Sequence, residues 1–127
     1  MIRIVENYYR KFYEYKDFDE RIAYMLEGAD EIVDFIKENY DFVSYDDYCC
    51  YFNAPEATSV NEVVQNVANS CDIQSAGIGF DSSLLGFRAY RDDVGSMEIG
   101  YYKDKGLFYL DFDGVKDELK YGKGRHY

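Results

Sequence analysis

The chain has few of the residues that most catalytic and metal sites use. Its 127 residues include no tryptophan, one proline and one histidine, His126. His126 lies in a Gly- and Lys-containing segment, residues 122–127, that we expect to be a flexible tail. A Ser–His or Cys–His pair held in a rigid geometry is therefore not expected, and histidine-based catalysis is disfavoured.

The three cysteines do not form a set that suggests a disulfide or a zinc site. Cys49 and Cys50 are adjacent, and Cys71 is the third. An odd number without zinc-ligand spacing is typical of buried, reduced thiols in an intracellular protein. We expect all three thiols to be free.

Motifs for cofactors and metals are also absent or incomplete. The segment Gly77-Ile78-Gly79 lacks the third glycine of a dinucleotide fingerprint, and no Gly-Lys-Ser/Thr is present for a P-loop. The segment Asp111-Phe112-Asp113-Gly114 resembles part of a calcium loop, but in that register the first ligand position is Tyr109 and the twelfth is Lys120. We expect a strand end followed by a turn there, with no metal and no cofactor.

Long hydrophobic runs are missing as well. No stretch approaches eighteen apolar residues, and no basic segment followed by an apolar one opens the chain. No repeat, linker or low-complexity run divides it, and an apolar content of 47% is enough for one core. We expect residues 1–127 to be a single acidic domain in the cytoplasm, with no membrane contact.

The clearest element in the sequence is a helix over residues 19–39. Seven apolar residues recur there at the 3.6-residue spacing of one helix face. They are Ile22, Met25, Leu26, Ala29, Ile32, Val33 and Ile36. Gly28 lies inside this pattern and leaves open a break into two shorter helices.

Other segments of the first half vary in how clearly they indicate structure. Residues 59–70 predict a second helix, because Ser59-Val60-Asn61-Glu62 matches a capping box. The opening residues 1–16 favour a helix, with a strand through residues 2–4 as the competing interpretation. Residues 42–53 are dense in apolar groups but ambiguous between a strand and a short buried helix.

The last third of the chain has the period of two that is typical of strands. Apolar residues alternate at 85–89, 97–101 and 108–112, separated by turn segments at 92–95 and 103–106. This pattern predicts a three-stranded antiparallel meander. The fold class is therefore α+β, with two or three helices packed on one face of a small antiparallel sheet that contains this C-terminal meander.

Negative charge is concentrated in one part of the chain. The sequence has 25 Asp and Glu against 14 Lys and Arg, a net charge of −11. Residues 17–47 hold eleven acidic and two basic residues, or −9. On the helix face opposite the apolar stripe, the carboxylates form a row with aromatic residues beside it. We predict a partner-binding surface made of Glu20, Tyr24, Glu27, Asp30, Glu31, Asp34, Phe35, Glu38, Asp46 and Asp47.

A charged helix face has a structural explanation, because net charge keeps a tyrosine-rich protein soluble. Ordinary solvated faces, however, mix Glu with Lys at i,i+4 spacing, whereas this face has almost no cations and carries the cost of self-repulsion. A basic partner would relieve that cost. The negative field also disfavours direct binding to nucleic acid or to an anionic membrane.

We therefore expect a non-enzymatic inhibitor that binds the basic nucleic-acid groove of a nuclease or other defence enzyme by phosphate mimicry. In general character it is similar to the small acidic anti-restriction and anti-CRISPR proteins of phages and mobile elements. The first alternative is an immunity or antitoxin protein that neutralises a basic toxin. The second is a small enzyme or ligand-binding domain with a pocket between the sheet and Cys49–Phe52.

Overall fold

The predicted long helix is confirmed as one continuous element. The structure, a computed structural model, describes residues 17–75 and 84–122, and its first helix, α1, spans Phe18–Asn39 without a break at Gly28. The Asp17 side chain caps it by accepting a hydrogen bond of 3.0 Å from the Asp19 backbone N–H. The helix ends at Tyr40, where the backbone becomes extended.

The ambiguous segment 42–53 is a β-hairpin. Strand β1 spans Asp41–Asp46 and strand β2 spans Cys49–Asn53, and they pair antiparallel. The two linking residues, Asp47 and Tyr48, have φ values of 50° and 59°. A two-residue link with both φ values positive matches the right-handed twist of the strands, which explains why the chain reverses so tightly here.

The second predicted helix is confirmed as α2, Val60–Ser70. The Ser59 hydroxyl accepts a hydrogen bond of 3.1 Å from the Glu62 N–H. The Glu62 carboxylate accepts from the Thr58 hydroxyl (2.6 Å) and backbone N–H (2.8 Å), one residue earlier than in the standard box. These hydrogen bonds lower the pKa of Glu62. A two-residue strand, β3, follows at Gln74–Ser75.

The C-terminal meander is confirmed. It consists of β4 (Leu84–Arg91), β5 (Gly95–Tyr102) and β6 (Leu107–Asp111). Across the described strands the sheet order is β1-β2-β6-β5-β4-β3, and every neighbouring pair is antiparallel. The β1–β2 hairpin therefore extends the meander on its β6 side.

A third helix, α3, spans Asp113–Tyr121, where the sequence indicated only a turn. The carboxylates of the calcium-like segment bind side chains of this fold instead of converging on one point: Asp113 pairs with Arg88 (2.8 Å) and Asp111 with Lys116 (2.8 Å). Gly122, expected in the tail, is buried and its carbonyl accepts a 3.3 Å hydrogen bond from Arg21.

Three sequence-based expectations fall outside the described residues. They are the N-terminal helix over residues 1–16, the Gly77–Gly79 turn and the remainder of the tail, residues 123–127. Within residues 17–75 and 84–122, no helix is long and apolar enough to cross a membrane.

The core lies between one face of the sheet and helices α1 and α2, which confirms the predicted α+β arrangement. Phe52 of β2 stacks on Phe108 of β6 with ring centroids 5.4 Å apart, beneath the apolar stripes of the two helices. Cys49, Cys50 and Cys71 are buried free thiols. Burial raises the pKa of Cys50 to about 12, so this thiol stays protonated at neutral pH.

Candidate functional site

The acidic row lies along the solvent-facing side of α1. Five of its carboxylate residues are exposed, and none of the five makes an ion pair with another residue that the structure describes. They are Glu20, Glu27, Asp30, Asp34 and Glu38. Because α1 continues through Gly28, Glu20 and Glu38 belong to one continuous helix and lie about 27 Å apart along it at about 1.5 Å per residue.

Glu31 differs from its neighbours because it has a cationic partner. Its carboxylate lies 3.0 Å from Nη2 of Arg91, and Nε of the same arginine lies 3.2 Å from Asp93. The expectation that the row has almost no compensating cations is therefore wrong at this position. Arg91 follows Glu31 by sixty residues, so no spacing pattern on the helix could reveal the pair.

The two basic residues of segment 17–47 leave the row uncompensated. Arg21 points into the protein, where its Nε lies 3.4 Å from the Glu118 carboxylate, and the two side chains are only 4% and 2% exposed. Lys37 lies over the ring of Phe42, with Nζ 4.9 Å from the ring centroid. Arg21 therefore does not offset the charge of the exposed face, whereas Arg91 offsets it at Glu31.

The aromatic residues predicted beside the row are less exposed than expected. Tyr24 is half-buried, and Phe35 packs partly against the core with its ring in edge contact with Tyr40. Large apolar side chains are more exposed on β1, which follows α1: Phe42 is 37% exposed and Val43 is 50% exposed.

Asp46 and Asp47 are exposed at the β1–β2 turn. Burial and then the nearby Asp30 charge raise the pKa of Tyr45, the β1 residue before Asp46, to about 12.

A second group of ionisable side chains lies on the other face of the sheet. The Tyr109 hydroxyl donates a hydrogen bond to Glu98, which also lies 3.5 Å from Arg88. Arg88 in turn pairs with Asp113. Burial and the hydrogen bond to Glu98 raise the pKa of Tyr109. Two carboxylates share one guanidinium, so the group keeps one unbalanced negative charge while it joins β4, β5 and β6 to α3.

The segment Cys49–Phe52, suggested as one wall of a pocket against the sheet, is itself part of the sheet. This segment is β2, an internal strand between β1 and β6, and Cys50 and Phe52 are fully buried in the core. Sequence reasoning did not anticipate this, because it could not assign the segment to the middle of the sheet.

Comparisons of the chain with protein-family models, with curated proteins and with solved structures find no match. Among the side chains of the described ranges, no group of three or more His, Cys, Asp or Glu residues is placed to hold a metal ion. The candidate site is thus defined by its own geometry: a row of exposed carboxylates on one continuous helix, of which only Glu31 has an ion-pair partner among the described residues, and two exposed aspartates at the β1–β2 turn.

Proposed function

We propose that the protein is an inhibitor that occupies the basic nucleic-acid groove of a nuclease or other defence enzyme and presents carboxylates in place of phosphates. The observation that carries the proposal is the exposed, largely unpaired row on α1. Such a protein would resemble anti-restriction and anti-CRISPR inhibitors in its mode of action. It would act by competition, because the groove cannot hold a nucleic-acid backbone and this helix together.

The linear charge density of α1 supports this comparison. Six carboxylates, from Glu20 to Glu38 and including Asp30 and Glu31, are distributed along about 27 Å of helix. From Glu27 to Glu38 the successive charges are about 4 Å apart on average at about 1.5 Å per residue, and Glu20 lies about 10 Å before them. Along a single strand of B-form DNA the rise per phosphate is about 3.4 Å. A groove built to bind successive phosphates would therefore meet charges at a similar spacing over the Glu27–Glu38 part of the row.

Most carboxylates of the row have no ion-pair partner among the described residues, which also supports a basic ligand. Like charges at i,i+3 and i,i+4 destabilise a helix by about 0.2–0.5 kcal/mol per pair. The Glu27–Asp30, Asp30–Asp34 and Asp34–Glu38 spacings are all of this kind. Lysine and arginine side chains of a partner would remove that repulsion on binding.

The test is charge reversal in the row with a matched control. Glu31 is left unchanged because it holds Arg91, so the row variant is Glu27→Lys/Asp34→Lys. The control, Asp104→Lys/Asp117→Lys, makes the same change in net charge at exposed positions outside α1. Wild type, row variant and control are each used to capture proteins from the native host. Captured proteins are identified, and inhibition of their nucleic-acid binding is measured.

We expect the wild type and the control to capture and inhibit a nucleic-acid-binding enzyme, and the row variant to lose both abilities while melting normally. Binding by the wild type should weaken steeply with salt, since ions screen the attraction over about 8 Å at physiological ionic strength. Full inhibition by the row variant would show that the row is only a solvated face. Capture of a toxin from a toxin–immunity pair would favour the antitoxin alternative.

A further inference from the structure

A cleft separate from the row opens where α1 ends. It lies between the C-terminal end of α1, the start of β1, the loop after β2 and the first turns of α2, and it has a volume of about 650 Å³. That volume is within the range of small-molecule and side-chain binding pockets. Several lining residues are exposed, so a ligand can enter from solvent.

The polar lining of this cleft is entirely acidic or neutral. Asp41, Glu56 and Glu62 contribute carboxylates, and no lysine, arginine or histidine is among the lining residues. The last carbonyl groups of α1 add a negative partial charge, because α1 ends at Asn39 on the wall of the cleft. A cation is the ligand that this environment favours.

The walls are held in place before any ligand binds. The Tyr40 hydroxyl accepts a 2.7 Å hydrogen bond from Asn66, and its ring packs 5.3 Å from that of Phe52. Glu56 lies in a turn that is closed by a 3.1 Å hydrogen bond from the Ala57 N–H to the Ala54 carbonyl, with proline at the favoured second position. Little conformational entropy would be lost when a ligand binds here.

We propose that this cleft binds an arginine side chain of the protein's basic partner. A planar guanidinium group stacks on an aromatic ring and donates hydrogen bonds to carboxylates in a fixed fork, so Tyr40 with Asp41 and Glu56 suits it better than a lysine ammonium. The assignment of the arginine to a partner rests on the proposed function. The cleft itself is defined by this chain alone.

The experiment uses three small probes and ¹⁵N-labelled full-length protein. N-acetyl-arginine methylamide is compared with the corresponding lysine and citrulline compounds, of which citrulline has the shape of arginine without its charge. Backbone amide shifts are followed by NMR. We expect saturable shifts at Tyr40 and Ala57 with the arginine probe, binding about threefold weaker with lysine, and no binding with citrulline.

The matched variants separate the cleft from general negative charge. Asp41→Asn/Glu56→Gln should weaken binding of the arginine probe about tenfold, whereas Asp34→Asn/Glu38→Gln, with the same change in net charge, should leave it within about twofold. Glu62 is not replaced because it caps α2. Thermal melts check that each variant is folded.

The proposal would be overturned if both variants weakened binding of the arginine probe equally. It would also be overturned if the citrulline compound caused the same amide shifts as the arginine compound. These outcomes are independent of the proposed function, because the probes need no partner. If the captured enzyme binds the Asp41→Asn/Glu56→Gln variant as tightly as wild type, the arginine does not come from that partner and the proposal is likewise overturned. The proposed inhibitor function is tested separately, by capture and inhibition with the row variant Glu27→Lys/Asp34→Lys.

Discussion

For single residues, the direction in which a charged side chain points decides whether it contributes to the surface charge or to contacts inside the protein. Arg21 belongs to the most acidic segment of the chain, yet it is buried and bound to Glu118 and to the Gly122 carbonyl. A buried ion pair contributes modestly in net terms, but removal of one member leaves the other charged in a medium of low dielectric. Arg21 therefore joins α1 to the end of α3.

The first prediction concerns this pair. Arg21→Met should lower the free energy of unfolding by about 3–5 kcal/mol, because the Glu118 carboxylate loses its guanidinium partner inside the protein. Chemical denaturation measures the change.

Two further variants control that measurement. Lys116→Met, which removes the more exposed pair with Asp111, should cost about 1 kcal/mol or less. The double variant Arg21→Met/Glu118→Leu should recover much of the loss, since no charge remains buried. A cost for Arg21→Met as small as that for Lys116→Met would contradict the assigned role.

At the scale of elements, the continuity of α1 depends on a glycine that its helix propensity alone would disfavour. A Cβ atom at Gly28 would overlap the Asp93 carboxylate and lie 2.9 Å from Cγ1 of Val94. Asp93 cannot easily move away, because Oδ1 accepts a hydrogen bond of 2.9 Å from the Val94 N–H and pairs with Arg91. The glycine thus allows the β4–β5 turn to pack directly on the helix.

The second prediction follows from this close approach. Alanine in place of glycine in a helix interior normally stabilises by about 1 kcal/mol. At Gly28 we expect the opposite sign, a net loss of about 1 kcal/mol, because overpacking costs about 1–3 kcal/mol.

Ala23→Gly, at an exposed position of the same helix, is the control and should cost about 1 kcal/mol. Both variants are measured by denaturation. A more stable Gly28→Ala protein would mean that the β4–β5 turn does not pack closely against α1 at Gly28.

At the scale of the whole molecule, a net charge of −11 acts on stability as well as on partner choice. Most carboxylates of the row on α1 have no ion-pair partner among the described residues, so their mutual repulsion opposes folding. Arg88 of β4 and Lys116 of α3 pair with Asp113 and Asp111, and only Arg91, through Glu31, offsets a charge of the row among the described ion pairs.

The third prediction is that low concentrations of salt stabilise the fold. Raising NaCl from about 10 mM to about 150 mM shortens the screening length from about 30 Å to about 8 Å, so the melting temperature should rise. The rise should be smaller in Glu27→Lys/Asp34→Lys than in Asp104→Lys/Asp117→Lys, because only the first variant reduces repulsion within the row. A melting temperature that falls with salt would contradict this account.

Several elements could be predicted from the sequence because the residues that indicate them are close together in the chain. The apolar stripe of α1, the cap of α2 at Ser59 and the alternation in β4, β5 and β6 are local patterns, and each was predicted correctly. The acidic face of α1 follows from the same periodicity, since residues opposite a buried stripe must face solvent. The function of that face remains a prediction.

Contacts between residues far apart in the chain could not be predicted from local patterns and are seen only in the folded protein. The place of β2 beside β6, the Glu31–Arg91 pair and the inward position of Arg21 each join segments separated by tens of residues. Helix α3 was missed because its only buried side chains are Val115 and Glu118, and the second is stabilised by Arg21. Such contacts form only when packing brings distant segments together, so the pattern of neighbouring residues in the sequence cannot predict them.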